Sequence, residues 1–236
     1  MFKQFSASLI KEIKDLIFPI FCIECGKESS WLCKVCFEKI NFEPVFICPV
    51  CRCMSTDGFT CVNCINKSNL IQQISLCRYE ENALSGKIIK ILKYNYAIDI
   101  QDLIRIVFKN FYDNYTYLFK DFDYIVPIPL HHKRRAERGF NQAEVLSNIV
   151  SFFIGVPVNE ILIRRKKTKQ QARLGRKERI ENLDKAFSIK KNVDLTNKKI
   201  LLVDDVYTTG VTMQEAAFVL KKQNCQKIVG FSFARA

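Results

Sequence analysis

Long apolar runs are missing from this 236-residue chain. The apolar stretch at residues 16–23 is short and broken by Pro19, whereas a membrane span needs roughly 18 or more apolar residues in a row. A secretory leader is not expected either, because Met1 runs straight into a polar, amphipathic segment. Histidine is scarce, two in all, and neither lies among residues 22–64, so any metal site in that stretch must be made of sulfur. Acidic residues are the minority, with 24 Asp and Glu against 37 Lys and Arg. Beyond its cysteine pairs the chain has no internal repeat, and it has no low-complexity linker. These absences exclude a membrane-spanning protein and predict a cytoplasmic chain whose thiols stay reduced, with any place at the inner membrane coming through partners. What is present is a 48% hydrophobic content, enough for a packed core rather than a disordered tail.

Eight of the eleven cysteines form four Cys-x-x-Cys pairs within residues 22–64. Cys22 and Cys25 are followed by Cys33 and Cys36, then Cys48 and Cys51 by Cys61 and Cys64. Each pair offers two thiolates on one tight turn, and two pairs complete a tetrahedral zinc site. An all-sulfur, closed site is structural rather than catalytic. The segment has no helical or strand period long enough to make a core, so zinc must supply its folding energy. Sequential pairing into two sites is the expectation, with interleaved pairing, or Cys53 in place of Cys51, left open. Cys77 and Cys225 sit in apolar surroundings and read as small core residues.

Three segments follow from these patterns: an amphipathic helix over 1–19, a double zinc ribbon over 20–68, and an α/β domain over 75–236. In the last, strands are expected near 75–79, 124–130, 160–164, 199–203 and 227–233, and helices near 84–95, 99–113, 141–153 and 211–223. Such alternation argues a mostly parallel sheet with helices on its faces.

The basic residues are not spread evenly. Residues 131–179 hold thirteen Lys and Arg against four Glu, a balance of +9 within the overall +13. A polyanionic partner, a diphosphate or a nucleic acid, is what such a stretch suits. Aromatic residues near it include Phe140, Phe152 and Phe153, but the spacing of Phe152 and Phe153 predicts core rather than a stacking platform.

The sharpest signal is Ile200-Leu201-Leu202-Val203-Asp204-Asp205-Val206-Tyr207-Thr208-Thr209-Gly210-Val211-Thr212. A buried strand runs into two carboxylates and then into a small, hydroxyl-rich turn that opens a helix. Backbone N–H groups of Thr208, Thr209, Gly210, Val211 and Thr212, with the helix N-terminus, can surround a phosphate monoester. Gly210 lets the backbone approach the anion closely. Asp204 and Asp205 can accept hydrogen bonds from vicinal ribose hydroxyls, directly or through Mg2+. A phosphate and a diol so spaced describe a ribose 5-phosphate. The string resembles the phosphoribosyl pyrophosphate signature of type I phosphoribosyltransferases. Tyr207 stands where that signature usually has an aliphatic residue, a departure expected to affect packing more than binding.

Two further segments narrow the resemblance. Val126-Pro127-Ile128-Pro129-Leu130-His131 leads to Arg134, Arg138, Gly139, Phe140, Asn141, Gln142 and Ala143, and Arg164, Thr168, Gln171, Leu174, Arg179, Asn182, Ala186 and Phe187 lie between two expected strands. With the cysteine pairs, these motifs are similar to those of the ComF family over nearly the whole chain. The resemblance implies a type I phosphoribosyltransferase fold behind a small all-cysteine zinc ribbon. It also implies a pyrophosphate-facing loop and a closing lid carrying His131, Arg134, Arg138, Arg164 and Arg179, and a connection to natural transformation. Three functions are then open. The first is phosphoribosyl pyrophosphate binding with Mg2+ in DNA uptake, with single-stranded DNA and a protein of the uptake machinery as partners. The second is active phosphoribosyl transfer, in which Asp204 and Asp205 hold the ribose while Mg2+ and arginines stabilise the departing pyrophosphate. The third is a purely binding module for DNA or protein. Residues 75–115, where an acceptor would be read, show no motif.

Overall fold

The computed structural model describes residues 19–28, 30–39, 42–94, 97–165, 186–190 and 193–236. The side chains of residue 94 and residues 97–99 are not described. The chain divides into two compact units, Met1–Asn41 and Phe42–Ala236. The helix expected over 1–19 and most of the lid, residues 166–185 with Arg179, lie outside the described residues.

In the smaller unit, the turn through Cys22 and Cys25 is closed by an antiparallel bridge between Phe21 and Glu28 and by Gly26 N–H donating to Cys22 O at 2.8 Å. Gly26 has φ 73°, a left-handed backbone that glycine adopts at no steric cost. The short helix α1 (Lys34–Glu38) begins at Cys33 and carries Cys36 inward.

The larger unit is built on a four-stranded, all-parallel sheet. Its strands are β1 (Gln72–Arg78), β2 (Tyr124–Pro127), β5 (Lys199–Tyr207) and β6 (Lys227–Arg235), in the order β1-β6-β5-β2. The central β5 and β6 read as near-continuous apolar runs, as strands covered on both faces must. The free edge of β2 is covered by residues 157–159, with Ile125 N–H donating to Pro157 O and Asn159 N–H to Ile125 O. Beside the sheet stands a two-stranded antiparallel ribbon of β3 (Leu162–Arg164) and β4 (Phe187–Ile189).

The helices are α2 (Leu84–Tyr94), α3 (Ala97–Tyr115), α4 (His132–Arg138), α5 (Gln142–Ile154) and α6 (Val211–Lys221). The period-2 pleat splits β5 between two cores. Ile200 and Leu202 join Met213, Ala216, Ala217 and Leu220 of α6 and Phe187 of the ribbon. Their alternate, Val203, shares register with Phe231, whose ring meets Phe108 at 5.6 Å and Phe119 at 5.7 Å. That second core is aromatic, and Phe108 also meets Phe153 at 5.5 Å. Phe152, expected in the core, is instead 69% exposed, because α5 turns Phe153 inward. Cys77 is buried in the sheet, and Cys225 packs on the α6 core. No helix among the described residues is long and apolar enough to cross a membrane.

Candidate functional site

Two sets of four cysteines converge. The Sγ atoms of Cys22, Cys25, Cys33 and Cys36 all lie within 4.8 Å of one another, and so do those of Cys48, Cys51, Cys61 and Cys64. Pairing is therefore sequential. A tetrahedral zinc ion with Zn–S bonds of about 2.3 Å requires sulfurs about 3.8 Å apart. The pairs Cys25–Cys33 at 3.7 Å and Cys51–Cys61 at 3.6 Å fit that edge length. Backbone N–H groups aim at the sulfurs as well, Cys33 N at Cys22 Sγ and Val50 N at Cys48 Sγ. Both donor sets thus suit a structural zinc ion. Cys53 stays outside the second set, although its sulfur is 3.2 Å from that of Cys51.

The second constellation lies at the carboxyl end of the parallel sheet, where ligands of open α/β folds sit. Here β5 runs four residues beyond the expected stop at 203, so Asp204 and Asp205 belong to the strand itself. Each folds back on the next peptide: Asp205 N–H donates to Asp204 Oδ1 at 2.9 Å and Val206 N–H to Asp205 Oδ1 at 2.8 Å. Burial, and next the negative charge of Asp205, push the Asp204 carboxyl up to about 8, against the opposing pull of Lys93 and Arg164. Lys93, in the last turn of α2, forms a 3.1 Å ion pair with Asp205 Oδ2.

The chain then turns through Thr208 and Thr209, both exposed, into Gly210 at φ 78°. Gly210 is the N-cap of α6, and no side chain caps that helix. Its first N–H groups therefore remain available to an anion. From the other side, Gln214 in the first turn accepts from Asn69 N–H at 2.7 Å and donates to Ser68 Oγ at 2.9 Å, which pins the helix start. Tyr207 is 3% exposed and donates to Pro49 O at 2.9 Å.

The loop after β2 is held against β5 by Ile128 N–H donating to Val203 O at 2.8 Å, and Asn141, the cap of α5, donates to Ile128 O at 3.0 Å. His131 is buried and caps α4, its Nδ1 facing Lys133 N–H. Arg138 reaches back to Gln142 Oε1 at 3.0 Å, while Arg134 stays exposed. Arg164, at the end of β3, lies over the Phe187 ring at 5.3 Å. Burial lowers its pKa most, Asp204 and Glu215 oppose that, and Arg134 adds to it, which places all three groups within electrostatic reach. Of the expected arginines, Arg164 thus lies within reach of Asp204 and Arg134 within reach of Arg164, Arg138 is engaged with α5, and Arg179 is not described.

Three contributors were not legible beforehand. Lys93 is the last of three lysines on an amphipathic helix, after Lys87 and Lys90, and nothing in the sequence distinguishes it. Glu215 left a faint trace, a carboxylate among the apolar positions of α6. It is 7% exposed, its Oε2 has no hydrogen-bond partner among the described residues, and burial raises it to about 7 against the pull of Arg164. Arg52, next to Cys51 of the second set, donates to Thr208 O at 3.2 Å.

With this geometry in view, known proteins give a consistent match. Residues 100–232 match the phosphoribosyl transferase domain. Competence protein F of Haemophilus influenzae is 31% identical over 228 residues, spanning 93% of this chain and 98% of that protein. Competence protein ComFC of Streptococcus pneumoniae is 30% identical over 216 residues, 88% of this chain and 89% of that one. The DNA utilization protein YhgH of Escherichia coli is 26% identical over 221 residues, covering 90% and 96%. A nearly end-to-end relationship with competence protein F, joined to a phosphoribosyl transferase domain, makes this chain a member of the ComF family.

Proposed function

We propose that this protein binds phosphoribosyl pyrophosphate with Mg2+ at the loop after β5 and acts in DNA uptake during natural transformation. The observation that carries the reading is the run from paired carboxylates into an uncapped helix start through Gly210 at φ 78°. Backbone N–H groups of residues 208–212 take the 5′-phosphate, and Asp204 and Asp205 accept from the ribose hydroxyls. Two adjacent carboxylates are also the hard oxygen donors that suit Mg2+, which would screen the charge of the diphosphate. Arg134 and Arg164 face the pyrophosphate, with His131 and Arg138 shaping the loop behind them, and Arg179 belongs to the same set by its sequence motif. Lys93, paired with Asp205, is placed to give way to the diol or to meet a phosphate. Competence and DNA utilization proteins among the relatives support the cellular role, and the basic stretch at residues 131–179 suits single-stranded DNA. Both cysteine sets serve as structural zinc sites. Calorimetry of the full chain with phosphoribosyl pyrophosphate, with and without Mg2+, tests the reading. Saturable binding that strengthens with Mg2+ supports it, and no binding at millimolar ligand overturns it.

A further inference from the structure

The larger unit holds the second cysteine set and the phosphate loop in direct contact. Three consecutive carbonyls of the cysteine turn, those of Ile47, Cys48 and Pro49, accept hydrogen bonds from below the loop. Arg235 Nη1 donates to Ile47 O and Nη2 to Cys48 O, both at 3.1 Å, and Tyr207 Oη donates to Pro49 O at 2.9 Å. The Arg235 guanidinium lies over the Tyr207 ring at 4.7 Å, so these donors form one stack. Gly210 rests on that stack. A Cβ placed on it would stand 2.1 Å from the Tyr207 hydroxyl oxygen, so the loop backbone lies against the very atom that reaches Pro49.

The outer edge of the loop is held from the same turn. Arg52 has φ 63°, a left-handed backbone that is unfavourable for a non-glycine residue. Its N–H donates to Cys48 O, and Cys48 N–H donates to Cys53 O, so the turn is closed around it. From there the guanidinium donates to Thr208 O. In a trans peptide the next N–H points opposite to that carbonyl. Holding Thr208 O therefore aims Thr209 N–H away from Arg52, the direction an anion-binding loop needs. Apolar packing does not keep the turn in place, since Gly58 is the one buried residue between 50 and 63. Ligation of Cys48, Cys51, Cys61 and Cys64 would, together with the donors from Arg235 and Tyr207.

We propose that the second cysteine set and the phosphate loop are one thermodynamic unit, in which zinc in the set and a phosphate monoester on the loop each raise the affinity of the other. Arg52, Tyr207 and Arg235 are the positioning residues that carry the coupling. The inference rests on reading residues 208–212 as a phosphate loop. Coupling between two ligands is reciprocal, so it is visible from either side.

The test uses the full-length, zinc-loaded protein, ribose 5-phosphate as the probe, and zinc release to a chromogenic chelator. Saturating ribose 5-phosphate should slow release of one zinc ion about fivefold, the equivalent of one neutral hydrogen bond, and leave the other unchanged. Cys25→Ser with Cys33→Ser, which removes the first set, should keep the protection. Tyr207→Phe retains every thiol yet should loosen ribose 5-phosphate about fivefold and abolish the protection of zinc. Arg52→Ala, on an exposed side chain, should loosen it about threefold, with Arg52→Lys recovering most of the loss. Ribose 5-phosphate that binds the wild type without slowing zinc release, and binds Tyr207→Phe and Arg52→Ala equally well, overturns the coupling while leaving the phosphate loop standing. No binding of ribose 5-phosphate to the wild type overturns the phosphate loop itself, and the coupling falls with it.

Discussion

Asp204 offers a pH experiment whose sign and size follow from its surroundings. Its carboxyl is held at about 8, first by burial and then by Asp205, against an ordinary value of 3.8. Below pH 8 the free protein therefore keeps a proton there. Coordination of Mg2+ requires the carboxylate, so binding with Mg2+ must expel that proton. Affinity for phosphoribosyl pyrophosphate should climb as pH rises and level off above about 8. At full linkage the climb is tenfold per pH unit, giving roughly tenfold between pH 6.5 and 8 once saturation near the upper end is included. Starting at pH 6.5 stays above the titration of a phosphate monoester at about 6. Calorimetry in two buffers of different ionisation enthalpy counts the protons directly, and the count should approach one per ligand at pH 6.5. Asp204→Asn should bind more weakly and show no such slope. Stability gives an independent check. A carboxyl raised in the folded state favours folding while protonated, and that contribution is lost as pH rises from about 4 through about 8. Asp204→Asn should thus gain on the wild type in urea melts toward pH 8 and above. A proton count near zero at pH 6.5, with the same pH profile in wild type and Asp204→Asn, would refute the reasoning.

Further expectations concern metal, backbone and charge. Purified protein should carry two zinc ions per chain by native mass spectrometry, given the sulfur spacings of both sets; metal-free, fully folded protein with eight reactive thiols would contradict this. Gly210→Ala combines a left-handed φ of 78° with a methyl driven into the Tyr207 hydroxyl. About 1 kcal/mol of backbone strain plus about 1 kcal/mol for a disturbed hydrogen bond should appear in denaturant melts, together with lost phosphoribosyl pyrophosphate binding. For DNA, log affinity of a single strand should fall linearly with log salt by about 0.7 per phosphate neutralised, and changing Lys166, Lys167 and Lys169 to Ala should flatten the slope while sparing sugar-phosphate binding. If the triple variant weakens phosphoribosyl pyrophosphate instead, the basic stretch is a lid over the sugar site.

Much of the fold could be read from the sequence because its long elements obey strong periods. The helices at 84–94, 142–154 and 211–221 fall close to their expected places, since each buries one apolar stripe. What escaped was either short or governed by tertiary contact. All seven residues of α4 are unburied apart from partial cover at Arg138, and they carry no apolar stripe to announce a helix. β5 outran its expected end because Asp204 and Asp205 satisfy their carboxylates on their own backbone and keep register with β6, Asp204 opposite Ser232. Charged residues at that position look like a strand terminus, and the pairing that overrides the look is long-range. The strand, paired carboxylates and helix start of residues 200–212 were legible because they are contiguous in sequence. Lys93 and Arg52 were not, since 112 and 156 residues respectively separate them from the groups they touch. No local pattern encodes such distances.

The most direct test compares phosphoribosyl pyrophosphate binding, with Mg2+ present, in the wild type and in Asp204→Asn with Asp205→Asn. Each charge-assisted hydrogen bond lost is worth about 1.5–3 kcal/mol, so calorimetry should show affinity reduced at least tenfold in the double variant. Unchanged affinity in a folded, zinc-loaded double variant would mean that the ligand does not sit between these carboxylates and the loop that follows them.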